Sequence, residues 1–302
     1  MWNALHALSD PLAWVAVGLF VLAIGIDLTG RRPIAARVAA SAWVSFGAFW
    51  LAMFPYYYLE FRSPLESLLS LAAVPLCLLA AYHLARGRTS LLLLSRAVGL
   101  MGLVYLPAML YEPLTRFLIE TVAIQTHAGM ELLGYSPGIE EGLNGYQSRF
   151  AFDGPSTYII LACTGIGSIA IFSGLIAASR APIGRKILGI AAATGIIWIL
   201  NLSRNVFVGL ASPLGVFEYS ALQSLTHAVV GPGMRTSFFI SHHVIGQSLA
   251  VVALVGIALL VIRIVPEVIE VLEQALFVTT GSEIDLSPVA GQHTVRTDGG
   301  PR

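Results

Sequence analysis

The sequence predicts an all-α fold, namely a polytopic bundle of transmembrane helices. Of its 302 residues, 56% are hydrophobic and only 11% are charged, whereas soluble domains carry about 25% charged residues. Seven separate runs are long and apolar enough to cross a bilayer, and a helical bundle hides such surface from water. This composition excludes a water-soluble globular enzyme. Because 17 basic residues balance 17 acidic ones, it also excludes a disordered chain or one that binds nucleic acid.

The predicted spans follow one another along most of the chain. A helix needs about 20 apolar residues to cross the hydrocarbon core. The segment 114–133 differs, because it mixes apolar residues with Arg116, Glu120, His127 and Glu131. It therefore predicts an amphipathic helix that is interfacial or partly buried. The seven spans are 12–28, 34–54, 67–85, 90–111, 156–178, 187–210 and 240–265.

The composition changes at Pro266, which marks a predicted boundary. Residues 1–265 are expected to form one multispanning membrane domain, and residues 266–302 a tail. Within the tail, 267–277 predicts a short amphipathic helix. Residues 280–302 are polar and rich in glycine, which is typical of disorder.

The basic residues of the short loops predict the orientation in the membrane. Lys and Arg concentrate in cytoplasmic loops, and here they favour every second loop. The N-terminus is then extracytoplasmic, the tail cytoplasmic, and residues 112–155 and 211–239 extracytoplasmic. The loop residues behind this prediction are Arg31, Arg32, Arg37, Arg86, Arg88, Arg180, Arg185 and Lys186.

This topology places polar groups from three helices at one depth near the outer face. Cys163 would lie about two turns inside its span, so ~10 Å deep. Arg204 lies near the outer end of the next span, and His242 and His243 at the outer start of the last. Taken singly, a cysteine in a span is usually a small hydrophobic residue, which is how we interpret Cys77. A single arginine near a helix end usually reaches to the lipid headgroups. Together, ionisable groups within spans indicate a functional site.

A cysteine, an arginine and a histidine suit acyl transfer. A nearby cation favours the thiolate of Cys163, which is the nucleophile. A histidine carries the proton, and Arg204 can hold the developing oxyanion. Adjacent His242 and His243 point about 100° apart on an ideal helix, which does not suit a shared metal ion. We therefore expect neither a metal nor another cofactor.

The phrases ACTGIGS around Cys163, NLSRN around Arg204 and SHHVIG around His242 together resemble the exosortase/archaeosortase family of multispanning transpeptidases. The resemblance is strongest over 155–250. It implies cleavage of surface proteins that carry a C-terminal signal of Pro-Gly-Phe, one membrane helix and a basic tail. It further implies a thioester on Cys163 and transfer to an amine, with an archaeal lipid headgroup as acceptor and S-layer glycoprotein among the partners.

The resemblance leaves the third position of the site open. A glycine four residues after the histidine selects His242, which Gly246 follows at that spacing and beside which it would leave room. His243 and Arg235 are kept as substrate-binding candidates. Two other functions stay open: an intramembrane cysteine protease that releases a free carboxylate, and a transporter or scaffold without catalysis. A transporter usually shows repeats and midplane sites with broken helices, whereas these polar groups cluster at one leaflet.

Overall fold

The computed structural model describes residues 7–60 and 63–290 and is mainly helical there. Among these residues six helices, α1 to α4, α7 and α9, are long and apolar enough to cross a membrane. The prediction of an all-α polytopic membrane protein is therefore confirmed. The helices are α1 (Ser9–Leu28), α2 (Arg32–Pro55), α3 (Pro64–Ala85), α4 (Leu92–Leu110), α5 (Glu112–Leu132), α6 (Ile166–Ala178), α7 (Ile183–Ala211), α8 (Ser220–Val230), α9 (Thr236–Ile264) and α10 (Ile269–Thr280).

The fifth predicted span, 156–178, is only partly helical. Its helix, α6, has 13 residues and is about 20 Å long at 1.5 Å per residue, which is shorter than the hydrocarbon core of about 30 Å. The preceding residues form a short strand and then a 3₁₀ turn at Leu161–Thr164. Apolar content alone does not separate a short strand or a turn from the start of a helix, so the sequence placed the helix ten residues too early.

A small antiparallel sheet, which the sequence did not predict, lies between α5 and α6. Its strands are β1 (Gly138–Glu141), β2 (Gln147–Ala151) and β3 (Thr157–Tyr158), in the order β1-β2-β3. The register pairs Phe150 of β2 with Ile139 of β1 and with Thr157 of β3. The strands are short and irregular, with a shift between Glu140 and Glu141, so period-two patterning gives little signal.

The chain divides into two compact units, which are described separately. The described residues of the first are 7–60, 63–102, 173–189 and 261–290. Its core includes Phe20 and Trp43, whose rings meet edge to face at 5.3 Å, and the Trp43 indole N–H donates to Ser95. Cys77 is 3% exposed in this core, as expected for a small buried residue. Helix α10 begins two residues after the start of the predicted tail helix, 267–277, and ends three residues beyond it. Residues 291–302, part of the segment predicted to be disordered, lie outside the described residues.

The second unit comprises residues 103–172 and 190–260. Helix α5 is the predicted amphipathic helix, and its buried side recurs every three to four residues, as the helical period requires. This side packs on β2, where Phe150 is fully buried, and on the turn that holds Cys163. Gly209 of α7 meets Met130 of α5, so these two helices approach closely. The unit thus places the Cys163 turn between α5 and α7.

Candidate active site

Cys163 lies in a tight turn directly before α6, and not two turns inside a helix as the sequence predicted. Its backbone N–H donates to the Ile160 carbonyl at 2.8 Å, within the 3₁₀ turn. Gly165 then has a φ of 78°, a left-handed conformation that glycine adopts at little cost. The 3₁₀ turn ends there and α6 begins at Ile166. Cys163 is therefore presented on a strand–turn–helix connection, and it is partly exposed.

Two asparagines of α7 hold the backbone of Cys163. The Nδ2 atoms of Asn201 and Asn205 both donate to the Cys163 carbonyl oxygen, at 2.6 Å and 2.8 Å. These residues are four apart and so lie on one face of the helix. Gly165 packs on the Asn201 side chain, since a Cβ added at Gly165 would lie 3.4 Å from Asn201 Cγ. The NLSRN segment is therefore in direct contact with the turn of the cysteine.

Arg204 lies between these asparagines in sequence and contacts His242 of α9. The distance from Arg204 Nη2 to His242 Nδ1 is 3.2 Å. Because a guanidinium only donates hydrogen bonds, Nδ1 is the acceptor, and the neutral imidazole carries its proton on Nε2. The Nε atom of Arg204 is buried and has no hydrogen-bond partner among the described residues. Arg204 therefore keeps donor capacity beyond the bond to His242.

The two histidines lie on a π-helical stretch of α9, Phe239–Gly246. The His242 ring stacks on Phe238 with centroids 4.9 Å apart, and the His242 and His243 rings meet at 4.7 Å with planes at 86°. The rings of His242 and His243 are therefore neighbours in this stretch. A π-helix has more residues per turn, and such stretches are frequent at functional sites.

The room beside His242 is filled by Arg204. A Cβ added at Gly246 would lie 3.1 Å from Arg204 Nε and 2.9 Å from the Ser241 carbonyl oxygen. The glycine therefore admits the guanidinium to the face of α9 that carries His242. The sequence indicates room beside His242 at Gly246, but it does not predict that Arg204 fills this room.

Arg235 is held by an acidic residue that the sequence did not single out. It caps the N-terminus of α9, and its Nε lies 3.8 Å from Glu218 Oε1. The same oxygen accepts the backbone N–H of Ser237 at 3.0 Å, while Ser237 Oγ accepts the N–H of Phe217 at 3.0 Å. These reciprocal bonds tie the loop after α7 to the start of α9. No local sequence signal marks them, because the partners lie about 20 residues apart.

The chain has similar relatives among known proteins. The sequence profile of the transmembrane exosortase family matches residues 7–242. Archaeosortase A of Haloferax volcanii is 44% identical over 297 residues, an alignment that covers 92% of this chain and 96% of that protein. The chain belongs to the exosortase/archaeosortase family. Archaeosortase A of Natronomonas pharaonis is 39% identical over 288 residues, covering 92% and 91% of the two chains. No solved structure matches the chain.

In this exosortase/archaeosortase family member, Gly246→Ala is expected to lower activity at least about tenfold, because the new methyl group must displace Arg204 or bend α9. The readout is the rate at which a signal-bearing substrate is processed, at equal amounts of folded enzyme. Gly256→Ala is the matched control, since a Cβ at Gly256 meets nothing within 4 Å in the same helix. Equal activity of the two variants would contradict the close packing of Arg204 on Gly246.

The Glu218 contacts predict a pH-dependent stability. The N–H of Ser237, the amide of Gln223 and the charge of Arg235 hold the pKa of Glu218 below its usual value, although burial opposes them. A carboxylate whose pKa is lower in the folded state than in the unfolded state stabilises the fold at pH values above its unfolded pKa of about 4.3. This stabilisation is lost as the pH falls through the folded-state pKa. The thermal midpoint of wild type should therefore exceed that of Glu218→Gln at pH 7, and the difference should shrink as the pH falls below the unfolded value of about 4.3.

Thermal unfolding of both proteins in detergent across this pH range measures the effect. Glu141→Gln, at an exposed carboxylate of β1, is the control for removing a negative charge. A difference for Glu218→Gln that stays constant down to pH ~3 would contradict the contribution of the carboxylate charge.

Proposed function

We propose that this family member is a membrane-embedded cysteine transpeptidase. It cleaves the C-terminal sorting signal of surface proteins, of the Pro-Gly-Phe type, and transfers the acyl group to an amine on a membrane lipid. The single observation that carries the proposal is the joint placement of three groups by α7. Asn201 and Asn205 bind the backbone of Cys163, and Arg204 between them binds His242. The residues that bear the nucleophile, the cation and the imidazole therefore lie on or contact one turn of α7.

In the first step, the Sγ of Cys163 attacks the carbonyl carbon of the scissile peptide bond. The carbonyl oxygen becomes an oxyanion, which the guanidinium of Arg204 stabilises. When Arg204 turns its donor toward this oxyanion, Nδ1 of His242 is released and the ring can hold a second proton. The thiol proton then passes through His242 to the departing amine, the C–N bond breaks, and a thioester remains.

In the second step, the lipid amine attacks the thioester carbonyl. The C–S bond breaks, an amide bond forms, and the proton lost by the amine returns to Cys163 as its thiol. His242 carries protons in both directions, because the same group serves as base and acid in successive steps. His243 and Arg235 lie on the same helix, or at its start, and are proposed to contact the substrate near this site.

The orientation is part of the proposal. The basic loops favour an extracytoplasmic N-terminus and a cytoplasmic C-terminus, which puts the site at the outer leaflet. Surface proteins such as S-layer glycoprotein and a lipid with an amine headgroup would both reach it there. Their C-terminal signal helix would lie in the bilayer beside the enzyme.

Mass spectrometry of the C-terminus of a signal-bearing surface protein tests the function. We expect a lipid-linked amide when the enzyme is present and the intact signal when it is absent. A free carboxylate in place of the amide would make the enzyme a protease. An identical, unprocessed C-terminus in both samples would leave a transporter or scaffold as the function.

His242→Ala is expected to stall thioester formation, and His243→Ala to weaken turnover only in part. The reason is that Arg204 contacts His242 directly, so proton transfer and oxyanion binding are coupled through that ring. Each variant is incubated with a signal-bearing peptide, and the Cys163 adduct is followed by mass. The assignment of the two histidines is reversed if only the His243 variant fails to form the adduct. Normal adducts in both variants would move the role to Arg235 or to another residue.

A further inference from the structure

The two asparagines of the NLSRN segment, Asn201 and Asn205, bind the backbone of the Cys163 turn. Both donate to the same acceptor, the carbonyl oxygen of Cys163, at 2.6 Å and 2.8 Å. A carbonyl oxygen has two lone pairs, so the two amides together satisfy it. Asn205 is only 5% exposed, which makes an unpaired amide at this position costly.

This carbonyl needs partners from outside the turn. In a continuous α-helix, the Cys163 carbonyl would accept the N–H of the residue four positions later. The 3₁₀ turn at Leu161–Thr164 and the left-handed Gly165 interrupt that pattern. The conformation that presents the thiol before α6 thus gives up a helical hydrogen bond, and the asparagine amides replace it.

We propose that Asn201 and Asn205 are positioning residues that jointly hold the Cys163 turn and so aim its thiol at the substrate carbonyl. This inference rests on the proposed function, in which Cys163 is the nucleophile. A peptide plane is rigid, so anchoring the carbonyl of Cys163 fixes one side of the residue that bears the thiol. Arg204 lies between the asparagines, and α7 therefore sets the thiol relative to the group that binds the oxyanion.

The proposal predicts a specific relation between the two asparagines. Losing one hydrogen bond slows a rate that depends on it by up to about tenfold. Either amide alone still holds the carbonyl, though less firmly, so each single change should slow thioester formation several-fold, up to about tenfold. The double variant should lose more than the product of the single effects. The KM for the peptide should stay the same, because the amides contact the enzyme backbone and not the substrate.

The test uses the full-length protein in the Cys77→Ala background, so that Cys163 is the one remaining thiol. Asn201→Leu, Asn205→Leu and the double variant are compared with Ser203→Leu. Ser203 is exposed on the same turn of α7, and its hydroxyl donates to the Ile199 carbonyl of its own helix. Rates of thioester formation with a signal-bearing peptide are measured below the thermal midpoint of every variant.

A second readout does not depend on the proposed function. Alkylation of Cys163 by iodoacetamide should become faster in the asparagine variants, because a loosened turn exposes the thiol, while acylation by the peptide becomes slower. If the wild type forms no adduct, the proposed function fails, and alkylation still tests the two amides. The inference is overturned by wild-type acylation and alkylation in the double variant, or by a rise in KM at unchanged kcat. If the double variant does not fold, a single variant with wild-type rates overturns it.

Discussion

Replacing Cys163 with alanine is expected to abolish processing of signal-bearing surface proteins, by at least about 10³-fold. Removing the nucleophile from a catalytic unit typically costs several orders of magnitude in rate. Cys163→Ser should fail or nearly fail as well, because a hydroxyl is far less acidic than a thiol and the site must then ionise it. Gel mobility and C-terminal mass of the substrate measure the effect in cells.

Cys77→Ala is the matched control for this change. Cys77 is the other cysteine of the chain, and it is 3% exposed in the core of the first unit. It packs beside Gly47, where an added Cβ would lie 3.2 Å from the Cβ atom of Cys77. We expect normal processing of the substrate in Cys77→Ala. Normal substrate maturation in cells that carry Cys163→Ala would refute the nucleophile assignment.

Arg204→Lys is expected to be nearly as damaging as Arg204→Ala, with a loss of about 10²–10³-fold in kcat. The guanidinium is a planar fork, with Nη2 directed to His242 Nδ1 and Nε packed against Gly246. An ammonium is a compact point charge. It has no fixed fork of donors, so it cannot reproduce the exchange in which a donor of Arg204 leaves His242 and turns to the oxyanion.

The alternative for Arg204 is that it only carries charge to the membrane interface, in which case lysine would replace it well. Arg263→Lys makes the same substitution at an exposed arginine near the other end of α9, and it should leave activity unchanged. Steady-state rates with a signal-bearing peptide compare the variants at equal amounts of folded protein. Near-normal activity of Arg204→Lys would favour the charge-only role.

The sequence by itself determined the class of the protein and most of its helices. Apolar runs predict spans because hydropathy belongs to a local stretch of chain, and six helices match that expectation. The amphipathic period of 114–133 likewise predicted α5. The residue types around Cys163, Arg204 and His242 indicated the family, which the relatives confirm.

Only the tertiary structure decided how these residues meet. The apolar run 156–178 is divided between β3, a turn and α6, because strand pairing with β2 and the left-handed Gly165 outweigh its helical composition. Hydropathy alone does not separate a short strand or a turn from the start of a helix, so the sequence could not place this break.

The site itself shows the same division. Asn201 donates to Cys163 and Arg204 donates to His242 across 38 residues of sequence in each case. The direction of these side chains depends on how α7 is rotated against the turn and against the π-helical part of α9. Such rotations follow from side-chain packing between elements distant in sequence. Local patterns therefore identified the chemical groups, whereas packing determined which of them touch.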